Sequence, residues 1–261
     1  MTCDYVVLAD CDGICNINLN DMIEQHEKTG ADITIAVKKM NVTPERAERS
    51  VIIRSDENGR ITEALVRPSR LAGNYDVNIN IWVMSRRYLQ SMVHDGLSRG
   101  LSSMSRDILC RNVGFAKFMI YRYEGYYANF TSLQDYYATS MGLLGNGDSR
   151  NSIFNVKNRP IFTKVRNSTP TKYSGDAVVR NSLIADGCVI EGTVENSILA
   201  RGVKVGRGTV IRNCILLQDT YTGSDVTLNC VVTDKNVVIR DGRTLSGCDI
   251  MPVFIEKGRS V

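Results

Sequence analysis

The sequence predicts an α/β domain followed by a left-handed parallel β-helix. Residues 4–140 alternate strand-like apolar runs with helical stretches, which is the order of an α/β protein. After residue 148 the pattern changes, and aliphatic residues recur at every sixth position with small or turn residues between them. That period suits a triangular coil in which each face takes six residues. We predict an α/β domain over residues 1–145, a connecting segment over 146–174 and a β-helix over 175–261.

Capping and turn residues delimit the elements of the first part. Asn20 is the predicted N-cap of the first helix and Gly30 its end, and Asn58-Gly59 suits a tight hairpin. The alternating order predicts a parallel sheet, which binds ligands at the carboxyl ends of its strands. The predicted strands are YVVLA (5–9), DITIAV (32–37), VIIRS, RITEALV, NINIWVMS (78–85) and FAKFMIYRY, and the predicted helices are NDMIEQHEKTG, RRYLQSMVHDGL, RDILCRN and SLQDYYATSMGLL.

The six-residue period defines the expected core of the coil. Leu217 continues the same phase, and the interruptions at 191–198 and 218–232 are interpreted as loops. The aliphatic residues expected to point to the axis are Ile184, Ile190, Leu199, Val205, Ile211, Ile239 and Leu245.

Composition and charge exclude several classes of function. The net charge of +4 is small and dispersed, so nucleic-acid binding is not expected. The chain has no apolar run of membrane-spanning length and no basic leader or cleavage site, so we expect a cytoplasmic protein that binds no membrane. Without a secretory signal, the sequon Asn129-Phe130-Thr131 has no expected role in glycosylation.

Cysteine and histidine usage argues against metal and acyl-transfer chemistry. The eight cysteines have no spacing typical of a disulfide framework or a metal site. The two histidines are His26 and His94. Acyltransferases built on hexapeptide coils typically need a histidine base near the coil, and none follows residue 94. A purely structural scaffold stays open as an alternative, because a β-helix is a natural surface for assembly.

Several phrases resemble a known family over nearly the whole chain. "GADITIAVKKM", "DENGRITEALVRPS", "SIFNVKNRPIFTKV", "NSLIADGCVIEGTVENSILARGVKVGRGTVI" and "VVIRDGRTLSG" are similar to glucose-1-phosphate adenylyltransferases, and most of all to their GlgD-type subunit of bacterial glycogen synthesis. The resemblance implies a nucleotidyltransferase-like, Rossmann-like first domain. It also implies that this domain is incomplete at its N-terminus, because the glycine-rich nucleotide loop of the family has no counterpart here and Met1 is followed by an inner strand.

The resemblance implies a reaction and a metal site. The family joins ATP and glucose 1-phosphate to give ADP-glucose and pyrophosphate, with Mg²⁺ held by two aspartates. The first aspartate corresponds to Asp12, and the family phrase G-Y-W-x-D-V-G-T places the second at Asn129. We therefore interpret Asp12 and Asn129 as a degenerate metal site. Two other readings stay open, namely that Asp12 caps a turn and that Asn129 belongs to a helix N-cap region.

The sugar-phosphate site implied by the resemblance departs from the family pattern as well. The family's Glu-Lys-Pro triplet is Val66-Arg67-Pro68 here, and a glycine of the next strand is Asn80. Arg67, Asn78 and Asn80 then mark a degenerate sugar-phosphate site, and the reading of Arg67 as a surface strand residue stays open.

These departures predict a regulatory subunit with little catalysis of its own, and we assign no catalytic residue. We expect the chain alone to need no cofactor and to join a catalytic adenylyltransferase subunit in a hetero-oligomer, a tetramer, with a small-molecule effector as a possible further ligand. The alternatives are an active sugar-phosphate nucleotidyltransferase if the natural chain is longer, a β-helix scaffold and, last, a hexapeptide acyltransferase.

Overall fold

A computed structural model of the chain describes residues 3–145 and 147–261. Contacts divide the chain into two compact units, Met1–Tyr127 and Ala128–Val261. The first unit is α/β and the second contains a parallel β-helix, so the predicted fold class is confirmed. The predicted boundary between residues 145 and 146 falls at Asn146, outside the described residues, and the three-part division stays a prediction.

A mixed sheet forms the centre of the first unit. The strands of this unit are β1 Tyr5–Ala9, β2 Gly13–Cys15, β3 Ile33–Val42, β4 Val51–Ser55, β5 Ile61–Val66, β6 Gly73–Ser85 and β7 Phe118–Arg122. The order is β5-β4-β6-β3-β7, and β1 also pairs with β6.

The prediction of a parallel sheet is wrong. In this sheet β3 and β7 pair in parallel, whereas the pairs β1–β6, β3–β6, β4–β6 and β4–β5 are antiparallel. One physical reason is that β4 and β5 are joined by a short turn, residues 56–60, without an intervening helix. Such connections reverse the chain direction, whereas a parallel pair needs a long crossover.

The helices of the first unit pack on this sheet. They are α1 Leu19–Thr29, α2 Pro44–Ala47, α3 Arg86–Arg99 and a π-helix Met104–Cys110. The predicted N-cap at Asn20 is wrong, because the Asn18 side chain caps α1 by accepting a hydrogen bond from the Asn20 N–H at 3.2 Å. Gly30 ends α1 in the left-handed conformation, as predicted.

Buried apolar side chains from both faces of the sheet hold the first unit together. One cluster contains Ile35 of β3, Trp82 of β6 and Phe118 of β7, each less than 5% exposed. A second cluster on β6 and α1 contains Met22, Ile79 and Val83. Burial of one such side chain contributes on the order of 2 kcal/mol.

The second unit begins with short elements and continues as a coil of three parallel sheets. The first elements are β8 Tyr127–Asn129, which starts at the last residue of the first unit, and the helices α4 Leu133–Gly142 and α5 Asp148–Phe154. The coil strands are β9 Lys172–Tyr173, β10 Val178–Arg180, β11 Leu183–Ile184, β12 Val189–Ile190, β13 Thr193–Glu195, β14 Ile198–Leu199, β15 Lys204–Val205, β16 Val210–Arg212, β17 Ile215–Leu216, β18 Tyr221–Thr222, β19 Thr227–Asn229, β20 Val231–Thr233, β21 Val238–Ile239, β22 Thr244–Ser246 and β23 Val253–Ile255. The sheets are β9-β12-β15-β18-β21, β10-β13-β16-β19-β22 and β11-β14-β17-β20-β23.

The predicted aliphatic positions lie inside the coil, at its centre and near its ends. The central ones are at most 1% exposed, and they are Ile190, Leu199, Val205, Ile211 and Ile239. Ile184 and Leu245 are partly buried and pack against the same core. They belong to strands of the first and last turns, where only one neighbouring strand covers them.

The predicted loops at 191–198 and 218–232 are wrong. These residues contain β13 and β18–β19 and continue the coil without a break. Two features explain why the six-residue pattern did not predict these strands. One face takes five residues, so the inward position is Leu216 and not Leu217. Threonines occupy further inward positions: Thr222 stacks between Val205 and Ile239 with no exposed surface.

The buried threonines are tolerated because their hydroxyls are bonded. Thr233 Oγ1 lies 2.9 Å from Thr220 Oγ1, which donates to the Leu217 carbonyl at 2.8 Å. Thr209 Oγ1 donates to the Gly223 carbonyl at 2.7 Å. A buried hydroxyl with such partners avoids the desolvation cost that an unpaired one carries.

Helix α4 covers one face of the coil. Tyr137 of α4 packs with Ile215 and Val232, which point outward from β17 and β20, and its hydroxyl donates to the Asn213 carbonyl at 2.7 Å. Burial raises the pKa of Tyr137, which keeps this donor protonated. Separately, no helix of the described residues is both long and apolar enough to cross a membrane.

Candidate functional site

A cleft of about 240 Å³ lies at the carboxyl end of β1 in the first unit. Val7 and Ala9 of β1 and Ile79 and Ile81 of β6 form its apolar walls. The polar contributions come from Asp10, Cys15 and Tyr127. The cleft therefore suits an apolar or uncharged group better than a phosphate, which needs several donors.

Small and aromatic residues that the sequence analysis did not select shape this cleft. A Cβ atom added at Gly13 would lie 3.1 Å from Cε2 of Tyr127, so the glycine lets the Tyr127 ring pack closely. Burial raises the pKa of the Cys15 thiol, and the protonated thiol is a poor nucleophile. The available signal for Gly13 and Cys15 was their position just after the predicted strand 5–9, at whose carboxyl end the sequence analysis expected ligands to bind.

Asn78 and Asn80 form a bonded pair on β6 beside the cleft. The Asn80 N–H donates to Asn78 Oδ1 at 2.8 Å, and Asn78 Nδ2 donates to Asn80 Oδ1 at 3.0 Å. The Asp10 N–H donates to the Asn80 carbonyl at 3.2 Å, which ties the end of β1 to this point. The structure thus places these two predicted sugar-phosphate residues in direct contact.

The backbone at Asn80 has a conformation that favours glycine. Its φ is +58°, and the pairing of β3 with β6 shifts register at this point, between Ile35 and Val37. Asparagine is among the few other residues that tolerate this region. The position where the family resemblance implies a glycine therefore keeps a glycine-like backbone while it carries a side chain.

Arg67 lies apart from this pair. It follows β5, which β4 separates from β6, and its side chain is exposed. Its backbone has a φ of +51°, and its N–H donates to the Ser50 carbonyl at 2.9 Å. A bulky residue in this conformation is uncommon and indicates a constrained loop.

The two predicted metal ligands fall in different units. Asp12 is partly buried in the turn after β1, and Asn129 is the last residue of β8 in the second unit. The donor set is thus one carboxylate and one neutral amide, whereas Mg²⁺ bound between phosphates prefers carboxylate oxygens. Within residues 3–145 and 147–261, no three His, Cys, Asp or Glu side chains are grouped to hold a metal ion. These residues do not fit the two-carboxylate Mg²⁺ site that the resemblance implies.

Two further groups with shifted pKa values, His26 and Asp107, have structural roles. His26 of α1 is buried with Nδ1 2.8 Å from Thr34 Oγ1, and burial lowers its pKa. Asp107 accepts hydrogen bonds from the backbone N–H groups of Ser102 and Ser103 at 3.0 Å each, and these bonds lower its pKa. The His26 contact joins α1 to β3, the Asp107 contacts lie at the start of the π-helix, and both residues lie outside the cleft lining.

Comparison with known proteins confirms the resemblance. The family model "GlmU-like, C-terminal hexapeptide" matches residues 167–250, which is most of the coil. The chain is 29% identical over 257 residues to the glycogen biosynthesis protein GlgD of Bacillus subtilis, covering 98% of this chain and 64% of that protein. It is 28% identical over 244 residues to the glucose-1-phosphate adenylyltransferase of Bacillus cereus, covering 92% of this chain and 63% of that enzyme.

A more distant relative is similar over the same extent. The glucose-1-phosphate adenylyltransferase of Fervidobacterium nodosum is 25% identical over 241 residues, with 92% of this chain and 57% of the enzyme covered. The chain thus spans less than two thirds of the length of each of these relatives. The similarity crosses both units, so it includes the cleft and the coil alike.

Proposed function

We propose that this chain acts in bacterial glycogen synthesis as a non-catalytic, regulatory subunit of glucose-1-phosphate adenylyltransferase. The observation that carries the proposal is similarity to a GlgD protein over 98% of the chain, together with the amide of Asn129 at a position where the resemblance implies a carboxylate. The proposed site of action is the cytoplasm.

The chemistry of the reaction supports a non-catalytic role. Attack of the sugar phosphate on ATP concentrates negative charge on the phosphate groups, which the catalytic site must neutralise. Loss of one such electrostatic contribution typically lowers the rate by about 10²–10³-fold. The donor set at Asp12 and Asn129 is short of one carboxylate, and the cleft beside β1 is largely apolar. We therefore derive no catalytic step for this chain, and we propose that it needs no metal of its own.

In this proposal the coil, whose sequence keeps the family pattern, serves in assembly. The coil has a closed apolar core and long outer faces, which suit side-by-side packing with a related coil. A stable interface of this kind buries on the order of 1,200 Å² or more. We propose a hetero-oligomer, a tetramer, with the catalytic subunit, in which an effector signal crosses the interface with a coupling of about 1–3 kcal/mol.

Co-expression with the catalytic adenylyltransferase subunit of the same organism tests this proposal. We expect the two proteins to elute together in size-exclusion chromatography, and the complex to differ from the catalytic subunit alone in its response to small-molecule effectors. The chain alone should form no measurable ADP-glucose. Separate elution with unaltered kinetics, or turnover by the chain alone at the rate of the catalytic subunit, would contradict the proposal.

A further inference from the structure

The segment between α5 and the coil exposes large apolar side chains. This connector, residues 155–171, contains no helix or strand. Phe162 is 88% exposed, Val165 is 89% exposed and Ile161 is 42% exposed. Large apolar side chains that are scattered over a surface are ordinary, but three within five consecutive residues form a patch that indicates a binding surface.

The backbone of the connector is unpaired as well. Among the described parts of the chain, residues 160–168 form no hydrogen bond with one another or with any other residue. The first anchor beyond them is the Thr169 carbonyl, which accepts a hydrogen bond from the Gly187 N–H at 2.7 Å. The connector therefore presents free donors and acceptors together with free apolar side chains.

The composition of this stretch favours a β-strand. Its sequence IFTKVR (161–166) contains Ile, Phe, Thr and Val, which are enriched in strands. An extended segment of this composition binds most readily by adding to the open edge of a sheet in another protein, where the backbone supplies affinity and alternate side chains supply specificity. In such a strand Phe162 and Lys164 would share one side, and Thr163 and Val165 the other.

Charge indicates which kind of partner fits. Between residues 149 and 175 the sequence has no Asp or Glu, and its cations are Arg150, Lys157, Arg159, Lys164, Arg166 and Lys172. A partner edge lined by acidic side chains complements this stretch. A second copy of this chain is less suitable, because the chain itself has a net charge of +4.

We propose that residues 160–166 of the connector add as a strand to an open, acidic sheet edge of the catalytic adenylyltransferase subunit. This inference rests on the proposed function, since it specifies how the regulatory chain binds its partner. It assigns the binding energy to Phe162 and to the backbone around Thr163, which lie outside the cleft lining.

A proline at position 163 tests the role of the backbone most directly. Thr163→Pro removes one N–H and keeps every charge and the apolar side chains of Phe162 and Val165, and Thr163→Ala is the matched control that keeps the N–H. The affinity of each full-length variant for the purified catalytic subunit is measured by isothermal titration calorimetry. We expect Thr163→Pro to weaken binding by about tenfold or more and Thr163→Ala by less than about twofold.

Side-chain variants test the remaining parts of the proposal. We expect Phe162→Ala to weaken binding by about tenfold to thirtyfold, as for a central aromatic anchor. Lys164→Glu should weaken binding and make the affinity less sensitive to salt, because it removes an attraction to the acidic edge. All these positions are exposed, so the variants should keep the circular dichroism spectrum and melting temperature of the parent chain.

The outcomes separate this inference from the proposed function. If the parent chain binds the catalytic subunit and all connector variants bind equally well, the inference is overturned while the proposed function stands. If the parent chain does not bind at all, the proposed function fails and the inference fails with it. If Thr163→Pro abolishes only self-association of this chain, the occupant is a second copy and the proposed partner is wrong.

Discussion

Replacement of Ile239 by alanine tests whether the inward column of the coil carries its stability. Ile239 has no exposed surface and stacks against Thr222 in the register of β18 and β21. The change removes three carbon atoms, which corresponds to about 2.4 kcal/mol of transfer free energy at about 0.8 kcal/mol each. The cavity adds to this, so we expect a loss of about 3 kcal/mol in the free energy of unfolding.

The same strand offers a matched control. Val238 precedes Ile239 in β21 but points outward and is 40% exposed. Val238→Ala removes two carbon atoms from a partly solvated site, so we expect a loss of about 1 kcal/mol or less. If the control costs as much, the lost stability comes from strand propensity and not from packing in the core.

Urea unfolding followed by far-ultraviolet circular dichroism measures both variants. Fluorescence of Trp82, the single tryptophan, reports on the α/β unit during the same titration. We expect Ile239→Ala to lower the midpoint of the circular dichroism transition clearly more than Val238→Ala. Equal midpoints for the two variants would refute the assigned inward and outward register.

Three further predictions concern the coil, the α/β unit and catalysis. Gly206→Ala should destabilise the coil by several kcal/mol, because the new Cβ would lie 2.3 Å from the Gly223 carbonyl oxygen. In the control Gly175→Ala the new Cβ meets no atom within 4 Å, so its melting temperature should stay close to that of the parent chain. Similar melting temperatures for the two variants would contradict this prediction. Because burial lowers the pKa of His26, folding stability should be full above the unfolded pKa of about 6.5 and fall as the pH drops below it. Urea midpoints between pH 7.5 and 5.5 should therefore depend less on pH in His26→Gln, and an unchanged dependence would refute this assignment. Asn129→Asp should not by itself produce ADP-glucose synthesis, because Arg67 and Asn80 still differ from the family pattern. Turnover near that of a catalytic subunit would contradict this, because it would show that the missing carboxylate alone accounts for the lost activity.

The coil could be predicted from sequence because many of the aliphatic residues in its core recur at a regular spacing. Leu199, Val205 and Ile211 keep the spacing of six and point inward. The pattern failed where a polar side chain took the same environment. Thr222 looks like a surface residue in sequence, but its hydroxyl bonds to backbone groups inside the coil. A hydrophobicity pattern cannot predict that a buried hydroxyl group will find hydrogen-bond partners inside the coil.

The α/β unit was predicted less completely because its pairing is non-local. The positions of β1, β4 and β5 follow from apolar runs, but strand direction depends on which strands meet across the chain. The same limit applies to the site. The resemblance selected Asn80, whereas its left-handed backbone and its bond to the Asp10 N–H depend on a register shift in β6 that no local pattern encodes.

Titration of a fixed amount of the catalytic adenylyltransferase subunit with this chain tests the central claim most directly. The rate of pyrophosphate release from ATP and glucose 1-phosphate is followed as the chain is added. The account predicts that the rate changes with added chain and becomes constant at a fixed molar ratio, while the chain without the catalytic subunit gives no release. A rate that stays unchanged at every ratio, or release by the chain alone, would contradict the assignment of a non-catalytic regulatory subunit.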